Sequence, residues 1–301
     1  MGETIRADPA LLAAVQAGDS ATLHTAAGAE ISWAALHLLA QHGFRWKPEY
    51  PDDAAHGPVG TRLHVELTIN HPARPGIVLG TTAARFLARA LDVDIAFSLA
   101  EGLPPLEPAR MTAMAERRSP RAATFVVTGT HGAVVGGVLT VERGPRTVFE
   151  TLRCTVAVPG ALDRIDGFRG VRDGLEAGLQ SVMLGRHPQS ALFSTSRGRA
   201  DGVVDTAIAG PPTPLGAFSG ARVARVRGLL ERRRELGGHL VGPAHAPGLV
   251  IWFHGTERER WAAAAGLGRR LGDLRADAMH PEDLLRERGN RDDGTRTGGE
   301  R

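Results

Sequence analysis

Several residue types are scarce in this chain, and each scarcity excludes something. Among 301 residues there is a single cysteine, Cys154. That rules out an intramolecular disulfide framework and a cysteine-built structural zinc site. Aromatic residues make up 5%, too few for the stacking platforms on which single-strand nucleic-acid binders rely. No apolar run approaches the ~18 residues of a membrane span. The opening Met1-Gly2-Glu3-Thr4-Ile5-Arg6-Ala7-Asp8 lacks the apolar centre of a signal peptide. The expectation is a soluble, cytoplasmic protein with no membrane span.

Chemical signatures are equally sparse. The 12 histidines show no HExxH or paired spacing, so no metal is expected. There is no Gly-x-Ser-x-Gly elbow. Gly266-Leu267-Gly268 falls inside a helical pattern rather than after a strand, so it does not form a phosphate cradle. No catalytic constellation and no cofactor site is read from the chain. Cys154 sits mid-strand with only Arg153 to activate it, and is expected to be a packing residue.

The charges that are present are mostly of one kind of cation. Lys47 is the only lysine, so the 36 basic residues are nearly all arginine, set against 33 acids. Arginine stays charged to very high pH. The sequence pI near 9.9 therefore reflects arginine rather than a basic surface, and a net +3 favours no partner class. Hydrophobic residues at 42% suffice for a sizeable core.

Periodicity supplies the fold. Asp8-Pro9 starts a helix, with Asp as N-cap and Pro in the first turn. Residues 32–41 form a second helix, with Trp33, Leu36, Leu39 and Ala40 on one face. Residues 47–61 read as irregular. Leu63, Val65, Leu67 and Ile69 alternate with His64, Glu66, Thr68 and Asn70, which predicts a strand with one wet face. Thr81 caps a helix carrying Phe86, Leu87, Ala90 and Leu91, and a strand follows at 93–99. A short helix is predicted at 109–117. Three strands at 124–128, 134–142 and 147–158 are joined by short turns, which demands an antiparallel meander.

Residues 166–185 form the clearest helix. Its Gly170, Gly174 and Gly178 make a stripe that lets a backbone come close, read here as tight packing on the chain's own sheet, with a partner helix as the alternative. Residues 190–196 form a strand, and a Gly/Pro-rich loop spans 197–214. A short strand at 215–219 follows. Residues 221–236 form a basic helix, and 249–254 a strand. Thr256 caps the helix at 257–274. The fold class is α+β (mixed α/β): an antiparallel meander sheet covered by helices. Three regions are expected: a helical N-terminal segment at 1–60, an α+β domain at 61–280 and a disordered polar tail at 286–301.

The loop Arg197-Gly198-Arg199-Ala200-Asp201, with Pro211 and Pro212 beyond it, is the most individual feature. Arg197, Arg199 and Asp201 either pair locally or grip a partner's carboxylate. The prolines stiffen the segment for docking. These five residues are the interaction candidates. Two further possibilities remain open. One is a hydrolase-like site gathering His254, at a strand-to-helix turn, with the Arg199/Asp201 loop. The other is weak nucleic-acid binding through the arginines of the 222–234 helix, although Glu231 and Glu235 interleave them.

Arg197-Gly198-Arg199-Ala200-Asp201, followed by Gly210-Pro211-Pro212-Thr213-Pro214-Leu215-Gly216, resembles an actinobacterial family of unknown function whose genes lie near type VII (ESX) secretion loci. Residues 79–91 and 112–121 are similar as well, and the likeness covers about residues 60–255. The resemblance carries over no catalytic residue. It implies a cytosolic, non-enzymatic accessory, an adaptor or chaperone-like protein whose partner is a secretion component or substrate.

Overall fold

A computed structural model describes residues 4–16, 29–43, 59–74, 76–158, 165–184, 187–204 and 212–271. In chain order the elements begin with β1 (Thr4–Ile5), α1 (Pro9–Gln16), β2 (Glu30–Ser32), α2 (Trp33–Gln41) and β3 (Val59–Pro72). Then come α3 (Thr81–Leu91), β4 (Ile95–Ser98), α4 (Pro108–Arg118), β5 (Ala123–Gly129), β6 (Val135–Arg143) and β7 (Thr147–Val158). The chain continues through α5 (Ile165–Met183), β8 (His187–Arg199), β9 (Val203–Val204), β10 (Thr213–Ser219) and α6 (Ala221–Val226). It closes with β11 (Gly238–Val241), β12 (Gly248–Trp252) and α7 (Glu257–Leu271). The molecule is α+β.

Nine strands form one antiparallel sheet in the order β11-β12-β10-β8-β3-β7-β6-β5-β4. The meander β5-β6-β7 is present, and β3 lies between β7 and β8 at the centre. Both edges are strands of four residues, β4 and β11, which keeps exposed pairing groups few. β3 is long because it is paired along both sides, from Val59 opposite Arg199 to Pro72 opposite Thr147.

Alternation then sorts its side chains. Leu63, Val65, Leu67 and Ile69 enter the main core with Phe86 and Leu87 of α3, Leu175 and Leu179 of α5, and Met111 of α4. On the opposite face α2 covers Val126 and Val138, through Trp33, Leu36, Leu38 and Leu39. A third cluster joins Ala217, Leu249 and Ile251 to Ala224 of α6 and Leu267 of α7. The second face of β3 lies between these two apolar patches. It was expected to be wet, but at its first half it is enclosed: Arg62 is 1% and His64 8% exposed.

The local helix signals read from the chain operate as capping chemistry. The Asp8 Oδ1 accepts from Leu11 N at 2.7 Å, and Ser32 Oγ accepts from Ala35 N at 3.1 Å. At α7, Thr256 N donates to Glu259 Oε2 (2.6 Å) while Glu259 N donates to Thr256 Oγ1 (3.4 Å), a reciprocal capping box.

Five expectations are corrected. Thr81 is the first helical residue of α3 rather than its cap; Gly80 holds that position. The glycine stripe of α5 meets helix α3, not the sheet: a Cβ on Gly174 would stand 2.2 Å from Ala90 O, and one on Gly178 2.7 Å from Ala90 Cβ. The strand expected at 190–196 runs on to Arg199, because Arg197, Gly198 and Arg199 pair with Thr61, Gly60 and Val59. The basic helix stops at Val226. Gly228 adopts φ +63°, a conformation glycine takes at no steric cost, and the chain turns through Gly237 into β11. The N-terminal segment is not purely helical, since β1, β2 and β9 form a small three-stranded sheet beside α2. Residues 47–58, Pro211 and the tail at 286–301 lie outside the described residues.

Candidate functional site

Two places on the molecule concentrate functional groups. The first is the enclosed polar face of β3, β7 and β8. Arg62 Nε donates to Ser196 Oγ at 3.1 Å, and Ser196 Oγ lies 2.8 Å from His64 Nε2. His64 Nδ1 is 3.0 Å from Thr155 Oγ1, which is 2.9 Å from His37 Nε2 on α2. The cross-strand register brings these side chains together, pairing Arg62 with Ser196 and His64 with Thr155.

Guanidinium groups only donate. If the Ser196 hydroxyl donates to His64 Nε2, then His64 Nδ1–H donates to Thr155 Oγ1, and the Thr155 hydroxyl donates to His37 Nε2. Among the described residues His37 Nδ1 is the buried atom of this chain of bonds without a hydrogen-bond partner. His37 is held neutral accordingly. Burial first, and then the charge of Arg153, push its pKa down to about 3. One step along the same face, Arg153 grips Glu66 with two bonds of 3.1 Å.

The Ser196–His64 pair has the spacing of a nucleophile and its base. The far nitrogen of His64 meets a hydroxyl rather than an orienting carboxylate, and Ser196 is 8% exposed. In this setting the chain of bonds fastens α2 to the three central strands. Sequence reading passed over all five residues. The available signal was the polar half of the β3 alternation.

The second place is an open cleft of about 550 Å³ at the end of β3 where Pro72 pairs with Thr147. Met183, Leu184 and Pro243 form apolar walls, while Arg146, Arg222 and His245 supply its charge-bearing groups. Among the described residues no acidic one lines it. Leu184 is 68% exposed.

The residues singled out in the sequence are distributed as follows. Arg199 is buried and bonded to Asp201 through Nε (3.1 Å) and Nη2 (2.6 Å) and to Glu30 of β2 through Nη1. Burial alone would lower its pKa; the bonds to Asp201 and Glu30 outweigh this and raise it. Arg197 is exposed, and its carbonyl faces Arg62 Nη2 at 3.5 Å. Pro212 is buried at the start of β10. His254 is exposed, and its ring meets Phe168 of α5 edge-on at 6.4 Å, so it shares no described partner with Arg199 or Asp201. Of the basic segment, Arg222 reaches the cleft, while Arg232 is paired with Glu235 at 3.0 Å. Cys154 is fully buried and its thiol pKa is pushed up to about 12 by burial, which leaves it unreactive.

Among the described residues no group of His, Cys, Asp and Glu could hold a metal ion. Within the same residues, no helix is long and apolar enough to cross a membrane.

These features define a class: an α+β protein whose antiparallel nine-stranded sheet carries helices on both faces and an open, cation-rimmed cleft at one end. The chain belongs to the DUF6177 family, whose C-terminal domain matches residues 62–273. The match begins within β3 and ends just beyond α7, so β1, α1, β2 and α2 precede it. Neither the curated proteins nor the solved structures contain a match.

Proposed function

We propose that the protein is a non-enzymatic cytosolic accessory, an adaptor or chaperone-like component linked to type VII secretion, that acts by holding a protein partner. The observation that carries this reading is the cleft. It combines an apolar floor with a large exposed side chain, Leu184, and exposed arginines at its rim. A contiguous apolar surface of this kind with a polar border is what protein-recognition sites present. The resemblance to a family encoded near type VII secretion loci supports the choice of partner.

Photo-crosslinking in the native host tests the reading. A photoreactive amino acid replacing Leu184 is expected to give an adduct with one defined protein. The same group replacing Leu103, which is also exposed, is expected to give none. Absence of any adduct from position 184 and from the neighbouring Val223 overturns the reading.

A further inference from the structure

We infer that the cleft recognises an acidic peptide segment, one in which an Asp or Glu side chain stands beside a large apolar residue. The inference rests on the partner-binding reading above and specifies the chemistry of the partner.

Over the whole chain acids and bases nearly cancel, 33 against 36. Several arginines are matched by carboxylates: Arg153 by Glu66, Arg199 by Glu30 and Asp201, Arg232 by Glu235, Arg143 by Glu116. Arg146 projects from the β6–β7 turn and Arg222 from α6, both exposed, and no carboxylate of the described residues pairs with either. With no acid among the described lining residues, the two guanidinium groups sum to a local positive field.

A guanidinium is built to take a carboxylate by two parallel N–H bonds. The neighbouring surface suits a hydrocarbon side chain rather than a second anion: Met183, Leu184 and Pro243 offer no donors from their side chains. A fully charged ligand would leave that wall unused, and a purely apolar one would bury the arginines without partners, at a cost. A peptide carrying both groups in sequence satisfies the two halves together. The volume, about 550 Å³, is that of a site holding a few side chains.

Panning a random-peptide library on the immobilised full-length protein tests this directly. Enriched peptides are expected to carry Asp or Glu next to Leu, Ile, Phe or Met. In fluorescence anisotropy, changing that acid to its amide is expected to weaken binding roughly ten- to a hundredfold. Arg146→Gln with Arg222→Gln is expected to do the same, and added salt to weaken binding to the wild type but little to the double variant. Both arginines are exposed, so the variant is expected to melt with the wild type, and this is checked alongside. Failure to enrich any peptide, enrichment of sequences without acid, or equal binding by the melt-competent double variant overturns the inference. In each of those cases a crosslinked partner at position 184 would still uphold the broader reading, so the two fail separately.

Discussion

His37 shows what a single buried side chain contributes. In the folded protein its imidazole is neutral, with the pKa pushed from 6.5 down to about 3, chiefly by burial and then by Arg153. In the unfolded chain it titrates near 6.5. Between those two values the unfolded state binds the extra proton, so stability rises with pH through this window. It is lost as pH falls from about 6.5 towards about 3, and is independent of this group above it. Urea unfolding at a series of pH values is expected to show a slope approaching about 1.4 kcal/mol per unit below pH 6.5 from His37. His37→Gln, which keeps a polar group towards Thr155, is expected to flatten the slope. Some slope remains from His42, whose pKa is also lowered, by burial and then by Arg118. An identical slope in the variant would remove His37 as its origin. None of this was visible in the chain: Thr155 is 118 residues from His37, and Ser196 is 132 from His64. A histidine's partner is set by strand register, and register across such distances is not a local property.

At the scale of elements, α5 offers the sharpest contrast. Gly174 and Gly178 are in contact with α3, where an added Cβ would meet backbone or side-chain atoms of Ala90 within 3 Å. Gly170 on the same helix has open space around it. Gly174→Ala and Gly178→Ala are each expected to destabilise the protein by about 1–3 kcal/mol through overpacking. Gly170→Ala is expected to stabilise it by up to about 1 kcal/mol through helix propensity. Thermal or urea unfolding of the three variants checks the order, and equal effects would contradict the helix–helix contact. The stripe itself was legible, because spacing four places glycines on one face. Its partner was not, since α3 and the sheet are both apolar surfaces that a helix could cover. The basic segment after α6 failed for a different reason. Its arginines are good helix formers, yet Gly228 in a left-handed conformation and the bond from Leu229 N to Ala224 O (2.8 Å) turn the chain away.

For the molecule as a whole, the segment preceding the family-matched residues is part of the packing. Trp33, Leu36, Leu38 and Leu39 of α2 are nearly inaccessible and lie over Val126 and Val138 of the sheet. Each such side chain contributes about 1.5–3 kcal/mol when buried. Trp33 Nε1 also donates to Val203 O at 2.9 Å, joining α2 to β9. A protein shortened to residues 59–301 is expected to bind a hydrophobic dye strongly and to unfold at a lower urea concentration. A shortened protein that stayed as stable as the full chain, without dye binding, would show that α2 is dispensable to the core. The Arg199–Glu30 contact points the same way, since it joins the loop singled out in the sequence to β2.

Alternation and capping residues in the chain by themselves determined the kind and position of most elements, and with them the α+β class, because those signals act between neighbours a few residues apart. Tertiary structure alone decided that β3 sits at the centre, that α3 fills the α5 stripe, that the polar half of β3 is closed over, and that Arg146 and Arg222 face one cleft. Each of those outcomes depends on which distant surfaces compete for the same face, and burying apolar area is a non-directional force that settles the competition only when the whole chain is assembled.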